Sequence, residues 1–164
     1  MADPAVACLG LGSNLNDPPA RLREALARLG ATPGVLSVAA SSFYETAPVG
    51  VTGQPPFANA CARIETTLPP DELLVALLSI EREMGRVRAE CWGPRVIDLD
   101  LLLWGDLVLD REGLTIPHPE MHRRAFVLVP LNEVAPDQRH PVLGKTIAEL
   151  LRDLGTIEGV RRLL

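Results

Sequence analysis

Two aspartates inside an apolar stretch constrain the fold of this chain more than any other sequence feature. The stretch runs from Trp92 to Trp104 as WGPRVIDLDLLLW, where Asp98 and Asp100 interrupt β-branched and aliphatic residues that follow a Gly-Pro pair. Such a run is typical of a central β-strand entered from a loop. Residues two apart on a strand share a face, at a spacing of about 6.6 Å, so both carboxylates are predicted to project together. The opposite face would carry Ile97, Leu99, Leu101 and Leu103.

Neighbouring carboxylates on a half-buried strand need a positive partner. Burying one unpaired carboxylate costs several kcal/mol, and a second one beside it raises at least one pKa. Hard divalent cations favour oxygen ligands, and two ions about 3.5–4 Å apart are common in phosphoryl chemistry. A solvated face, or pairing with arginines alone, explains an isolated D-x-D pattern equally well.

A basic segment directly upstream favours the cation hypothesis. Residues 85–95, GRVRAECWGPR, contain Arg86, Arg88 and Arg95. Guanidinium groups bind phosphate oxygens in a forked geometry, while carboxylates bind Mg²⁺. Together the two features predict a polyphosphate site. A salt-bridged surface loop is the alternative, although it would not explain both features at once.

The overall charge and the cysteines exclude several classes of protein. A formal net charge of -5 argues against a nucleic-acid or anionic-membrane surface. The three cysteines are scattered without metal-ligand spacing, which favours free thiols in a reducing compartment. The N-terminus lacks a signal-peptide pattern, and no apolar stretch approaches about 18 residues. We therefore expect a single domain over 1–164, cytoplasmic and monomeric.

Hydrophobic periodicity predicts a βαββαβ order of elements. The predicted strands cover 6–11, 35–44, 57–66 and 96–103, and the predicted helices run from Pro18 or Pro19 to Gly30 and from Pro69 or Pro70 to Gly85. This order predicts a ferredoxin-like α+β fold with a mainly antiparallel sheet, helices packed on it and a C-terminal extension. Gly105-Asp106 is predicted to turn the aspartate strand into a hairpin, followed by a short strand at 114–116. Thr146 would cap a terminal helix, and the proline- and glycine-rich segment 45–56 is interpreted as a lid.

Alternation along the third predicted strand places Phe57 and Asn59 on one face beside that lid. An aromatic ring next to an amide that both donates and accepts hydrogen bonds suits a planar heterocycle. An ordinary core phenylalanine beside a surface asparagine is the alternative. Glu81 lies near the buried side of the second helix, where it either reaches the arginine segment or faces solvent.

Other motifs are incomplete. The string from Gly10 to Asn14 lacks the third glycine of a dinucleotide-binding loop and is interpreted as a tight strand-to-helix turn. His118 and His122 have a zinc-like spacing, but Pro119 lies between them and a third soft ligand is missing, so zinc is disfavoured. We interpret His118, Arg123 and Arg124 as further positive charge for an anion.

The chain resembles the 6-hydroxymethyl-7,8-dihydropterin pyrophosphokinase family of folate biosynthesis. The shared motifs occur in the same order along most of the sequence: GSNL at 12–15, SSFYETAPV at 41–49, F-x-N at 57–59, GRVR at 85–88, WGPRVIDLDLL at 92–102 and LTIPHPEMHRRAF at 114–126. The W-G-P-R-x-x-D-x-D block is the most specific. Cys91 stands where the family usually has a basic residue.

The resemblance implies transfer of the pyrophosphoryl group of ATP to the hydroxymethyl oxygen of a reduced pterin, with release of AMP. It implies that Asp98 and Asp100 bind two Mg²⁺ ions. ATP would be contacted by Arg86, Arg88, Trp92, Arg95, His118 and Arg124, of which Arg86 and Arg95 would be catalytic together with the aspartates. The pterin would be held by Thr46, Val49, Phe57, Asn59 and Phe126. The rival hypotheses are a two-metal phosphodiesterase or nuclease and a non-catalytic nucleotide-binding module.

Overall fold

The computed structural model describes residues 3–46, 55–85 and 96–163. The strands are β1 (Ala5–Ser13), β2 (Val35–Ala40), β3 (Tyr44–Thr46), β4 (Phe57–Thr66), β5 (Asp98–Trp104), β6 (Leu109–Arg111), β7 (Leu114–Ile116) and β8 (Val160–Arg162). The helices are α1 (Pro18–Gly30), α2 (Pro70–Glu83), α3 (Ala125–Val134) and α4 (Ile147–Asp153), with a 3-10 turn at Met121–Arg123. Among these residues no helix is both long and apolar enough to cross a bilayer.

The main sheet has the strand order β5-β1-β4-β3-β8, with β2 also paired to β4, and all these pairs are antiparallel. β2 and β3 lie along the same edge of β4, so the predicted strand over 35–44 is divided in two. With those halves counted as one strand, the order is that of a ferredoxin-like βαββαβ sheet. The predicted α+β fold class is confirmed.

Helices cover both faces of this sheet and separate its core into two clusters. On one face, α1 and α2 bury Leu22, Leu29, Leu73 and Leu77 against alternate residues of β1, β4 and β5. On the other face, α3 and α4 bury a second cluster that includes Leu128, Leu131 and Leu150. The alternation predicted for the third strand is confirmed, because Ala58, Ala60, Ala62 and Ile64 all belong to the first cluster. Both predicted helices, over 18–30 and from Pro70, are also confirmed.

Strand β5 departs from the predicted alternation at its end. The register with β1 shifts between Cys8, which pairs with Leu103, and Leu9, which pairs with Leu101. Leu102 is therefore an extra residue in the strand, as in a β-bulge. As a result Leu103 packs in the second cluster and not beside Leu101 as predicted. The bulge lies beyond the aspartates, so it leaves their shared face unchanged.

The prediction that the chain forms a hairpin with β5 at Gly105-Asp106 is wrong. Those two residues form a turn, but β6 pairs with β7 in a separate two-stranded sheet and not with β5. The hairpin turn is instead at Glu112-Gly113, where Gly113 has a φ of 84°. A left-handed conformation at the second turn residue favours glycine, which explains where the chain reverses.

The C-terminal extension builds the second face. α4 begins at the predicted cap, Thr146, whose side chain accepts from the Glu149 backbone while the Glu149 carboxylate accepts from the Thr146 backbone. The chain then returns as β8 and pairs with β3. Asp98, Asp100 and Gly10 remain partly exposed on this face, so the helices do not cover it completely.

Candidate active site

The register of the three central strands places the candidate residues in two adjacent rows. In one row Asn59 of β4 pairs with Gly12 of β1, which pairs on its other side with Asp98 of β5. In the next row Gly10 has Cys61 and Asp100 as its two partners. The middle position of each row therefore carries no side chain. A strip of glycine backbone, partly exposed at Gly10 and buried at Gly12, separates the β4 side chains from the two carboxylates.

Gly12 lies in a space that a larger residue would obstruct. A Cβ atom at this position would be 3.0 Å from Oδ1 of Asn59 and 3.8 Å from Cδ1 of Phe57, and no other heavy atom of the described residues lies within 4 Å. The asparagine oxygen and the phenylalanine ring thus both border the strip. The predicted pairing of Phe57 with Asn59 on one face agrees with this geometry.

Asn59 is held in a defined orientation by β3. Its side chain is 7% exposed, and its Nδ2 donates to Oγ1 of Thr46 at 2.5 Å. Thr46 is itself 6% exposed. Because this bond fixes the amide, Oδ1 faces the strip at Gly12 and can accept a hydrogen bond there.

The two aspartates project from the same face of β5 as predicted. They are two residues apart and precede the bulge at Leu102. Asp98 lies close enough to His118 to affect its pKa, and Asp100 lies close enough to Cys61 to do the same. Burial is the largest cause of the pKa shifts of both His118 and Cys61. It raises the pKa of the Cys61 thiol well above 9.0.

His118 follows β7 and lies over the end of β5. Its backbone N–H donates to the Leu102 carbonyl at 2.9 Å, and its Nδ1 accepts from the Glu120 backbone at 3.1 Å. The proton of the neutral ring is therefore on Nε2. Burial, followed by the nearby Arg124 guanidinium, lowers the pKa of His118 below 6.5. Burial therefore favours the uncharged imidazole, which can still donate a hydrogen bond to an anion through Nε2.

Arg124 and Phe126 lie at the start of α3, next to the same face. The guanidinium carbon of Arg124 is 5.5 Å from the centre of the Phe126 ring, a cation–π contact. Phe126 packs partly against the second cluster. Arg123 contacts Glu120 and His122, and its side chain is 71% exposed.

Five of the predicted site residues lie outside the described part of the chain. They are Val49 of the predicted lid and Arg86, Arg88, Trp92 and Arg95 of the basic segment. Their contribution remains the prediction made from the sequence.

The donor chemistry on β5 fits a hard divalent cation. Within residues 3–46, 55–85 and 96–163, no group of three or more His, Cys, Asp or Glu side chains is placed to hold a metal ion. Mg²⁺ commonly uses one or two carboxylates and takes its other ligands from substrate phosphates and water. Two carboxylates that are both partly exposed, beside a glycine at position 10, match that pattern.

Sequence reasoning missed two features of this face. Gly10 and Gly12 lie inside β1 and do not form the turn that was predicted, which occurs at Asn16 and Asp17 with φ angles of 57° and 62°. Glu81 is 2% exposed and accepts a hydrogen bond from the Leu99 backbone at 2.8 Å, so the solvent-facing alternative is wrong. The glycines at alternate positions of one strand were the available signal for a bare face.

Comparison with known proteins decides the family. Residues 8–136 match the family model described as 7,8-dihydro-6-hydroxymethylpterin-pyrophosphokinase, which is well over half of the chain. The chain belongs to this family. The resemblance drawn from the sequence motifs is therefore confirmed.

Curated relatives support the same assignment. A 2-amino-4-hydroxy-6-hydroxymethyldihydropteridine pyrophosphokinase of Haemophilus influenzae is 49% identical over 80% of this chain and 82% of its own length. One of the same name from Pseudomonas aeruginosa is 45% identical over 94% of both chains. Among solved structures, wild-type Plasmodium falciparum HPPK-DHPS matches with a TM-score of 0.73 at 17% identity. That match spans 93% of this chain and 45% of the Plasmodium chain, and it supports the fold.

Proposed function

We propose that the glycine strip between Asn59 and Asp98 is where this chain carries out the reaction of its family. That reaction is pyrophosphoryl transfer from ATP to hydroxymethyldihydropterin in folate biosynthesis, so the chain is an ATP-dependent pyrophosphokinase. The observation that carries the proposal is the cross-strand row Asn59, Gly12 and Asp98. The row has a group suited to a heterocycle on one side of the glycine backbone and a group suited to a cation on the other, which supports the proposal.

The pterin would occupy the β4 side of the strip. Oδ1 of Asn59 would accept from a ring N–H, and Thr46 would keep the amide in that orientation. Phe57 and Phe126 would contact the faces of the ring, with Val49 of the lid segment as a further contact. A planar heterocycle suits this combination because its faces are apolar and its edge is polar.

The triphosphate would occupy the β5 side. Asp98 and Asp100 would hold two Mg²⁺ ions, which when bound would neutralise phosphate charge. His118 would donate through Nε2 to a phosphate oxygen, and Arg124 would supply a fixed positive charge near it. Arg86, Arg88 and Arg95 would contribute further cations, and Trp92 would contact the nucleotide.

These residues would act mainly by positioning. ATP carries about four negative charges, so a neutral hydroxyl can approach its β-phosphorus only when that charge is balanced. Asn59 and the two rings would hold the alcohol, while the groups around β5 hold the phosphates. Bringing the two into line removes much of the entropic barrier. We assign no general base.

The measurement that tests the proposal is AMP release from ATP with and without 6-hydroxymethyl-7,8-dihydropterin. We expect AMP and the pterin diphosphate only when the alcohol and Mg²⁺ are both present. AMP formation without the alcohol would support the phosphodiesterase hypothesis instead. ATP binding with no AMP under either condition would support the non-catalytic module.

A cytoplasmic location and a monomeric state are further predictions from the sequence. Gel filtration combined with light scattering would test the second of these.

A further inference from the structure

Glu81 is a buried carboxylate to which the sequence motifs gave no role. It lies in the last part of α2 and is 2% exposed. Its Oε2 accepts a hydrogen bond from the backbone N–H of Leu99 at 2.8 Å. Leu99 is the residue between the two aspartates. A carboxylate is costly to bury, so its presence at this point calls for an explanation beyond packing.

The position of β5 in the sheet provides one. β5 is the terminal strand of the order β5-β1-β4-β3-β8, and among the described strands β1 alone pairs with it. The outward backbone groups of a terminal strand lack a neighbouring strand and are free to twist or fray. Glu81 supplies an acceptor to one of these outward N–H groups. Its bond therefore fixes the free edge of β5 at the midpoint of the D-x-D pattern.

The same bond connects two elements that are separated in sequence. Leu99 lies 18 residues after Glu81, and the basic segment 86–95 lies between them. The last turns of α2 and the start of β5 are thus joined directly. The bond therefore joins the two described elements that flank this segment in sequence.

We infer that Glu81 is a positioning residue whose carboxylate holds the Leu99 backbone so that Asp98 and Asp100 present one cation-binding face. The inference rests on the proposed function, since it concerns the geometry of the carboxylates that would bind Mg²⁺. Glu81 itself touches neither substrate. Groups that orient ligands in this indirect way commonly affect metal affinity about 10- to 100-fold.

Three variants separate the acceptor from the charge. Glu81→Leu removes the oxygen that accepts from the Leu99 N–H. Glu81→Asp keeps a carboxylate on a side chain that is shorter by one methylene, and Glu81→Gln keeps an acceptor oxygen without the charge. We expect Mg²⁺-dependent binding of a non-hydrolysable ATP analogue, measured by calorimetry without pterin, to weaken about 10- to 100-fold in Glu81→Leu. Glu81→Asp should weaken it less, and Glu81→Gln should retain most of it. Pterin affinity should stay unchanged, because its contacts are on other strands.

Amide hydrogen exchange at Leu99 provides a readout that does not depend on activity. Exchange should accelerate in Glu81→Leu and Glu81→Asp, and remain slow in Glu81→Gln. Leu77→Ala is the matched control, since it removes a buried side chain of the same helix and should lower the melting temperature without changing the Mg²⁺ dependence. Should Glu81→Leu fail to fold, Glu81→Asp gives the same comparison with the charge preserved.

The inference is overturned if a folded Glu81→Leu or Glu81→Asp protein binds the Mg²⁺–nucleotide analogue like the wild type. It is equally overturned if Leu99 exchanges at the wild-type rate in both. Failure of the proposed function would look different, because the wild type itself would then release no AMP in the presence of the pterin alcohol.

Discussion

At the scale of single residues, the absence of side chains at two positions matters as much as the groups around them. Gly10 and Gly12 occupy alternate positions of β1 that share a face with Asn59 and the two aspartates. Most strand residues there would cover the backbone and fill the space between β4 and β5. The lack of side chains at these two positions of β1 therefore contributes to the shape of the candidate site.

Gly12→Ala should impair pterin binding and lower the stability of the protein by about 1 kcal/mol, because it strains a buried hydrogen bond. Its Cβ would lie 3.0 Å from Oδ1 of Asn59, so the amide would have to move against its bond to Thr46. If the displaced amide loses its hydrogen bond to the pterin, worth about 1.4 kcal/mol, the dissociation constant of the pterin rises about tenfold. Titration with the pterin alone would measure this. Gly10→Ala is the control, because its Cβ would meet Leu102 at 3.7 Å, an ordinary contact; equal affinities for the two variants would contradict the argument.

Asp98→Ala should reduce the rate of AMP formation by about 10³ or more while the fold persists. The reason is that its carboxylate would stabilise the charge of the transferring group through a bound cation. Steady-state rates at saturating ATP and pterin, together with circular dichroism, are the measurements. Asp110→Ala, in the exposed strand β6, is the matched control and should keep the wild-type rate. Near-full activity of Asp98→Ala would refute the metal-binding role.

At the scale of elements, local sequence signals located the helices, while pairing between strands determined what could not be predicted. Prolines in the first turn of α1 and α2, and Thr146 just before α4, mark helix starts through interactions within a few residues. The bulge at Leu102 depends on the register with β1, which the sequence of β5 does not contain. The hairpin turn was misplaced for the same reason, because two Gly-containing turns compete and only the pairing partner distinguishes them.

The same division applies to the site. Asp98 with Asp100, and Phe57 with Asn59, were placed correctly because a period of two is a property of one strand. The facing of Asn59 and Asp98 across Gly12 involves three strands from distant parts of the sequence, and the bond from Glu81 to Leu99 joins a helix to a strand. These contacts follow from tertiary packing and carry no local signal.

Thr146→Ala should destabilise the protein by about 1 kcal/mol, since it removes the side-chain half of the capping box of α4. Urea unfolding at neutral pH would measure it. Thr115→Ala is a suitable control, because the bond from its hydroxyl to Asp110 is long, at 3.3 Å, and lies at the surface. An equal loss in the two variants would argue against a capping contribution.

A carboxylate on α3 ties that helix to β3 and should give a pH-dependent contribution to stability. Glu133 accepts hydrogen bonds from the Tyr44 hydroxyl and from the backbone and hydroxyl of Ser42. Burial alone would raise the pKa of Glu133, but these bonds outweigh it and lower the pKa below 4.5. The stabilisation is therefore complete above pH 4.5 and is lost as the pH falls through the lower folded-state value.

The measurement is the difference in melting temperature between the wild type and Glu133→Gln across the acidic range. We expect the wild type to be more stable at neutral pH and the difference to shrink below pH 4.5, as its own carboxyl becomes protonated. A difference that stays constant, or grows, on acidification would exclude this charge dependence.

At the scale of the whole molecule, the sheet separates two cores, and the second one supports the site. Cys8 and Cys61 both belong to this second cluster, at 0% and 1% exposure, and Cys61 lies in the same row as Gly10 and Asp100. Burial raises the pKa of Cys8 to about 12, although Arg63 opposes it, and raises that of Cys61 well above 9.0. The reactivity of both thiols therefore reports on the integrity of the second cluster.

In a Cys91→Ser background, neither remaining thiol should react with Ellman's reagent while the protein is folded. Labelling needs a thiolate that solvent can reach, and both conditions are absent for these two groups in the native state. The labelling rate should thus equal the rate of global unfolding measured independently by fluorescence or circular dichroism. Fast labelling under native conditions would show that this face opens locally.

The row from Asn59 through Gly12 to Asp98 also sets a fixed distance across the sheet. Adjacent strands are held about 4.8 Å apart by their backbone hydrogen bonds, so the backbones of Asn59 and Asp98 stand roughly 10 Å from each other. Loop movement cannot alter that interval. With the pterin and the triphosphate bound on the two sides of this row, as proposed, the sheet itself would set the distance between them, and an alcohol with a longer arm would be expected to react more slowly.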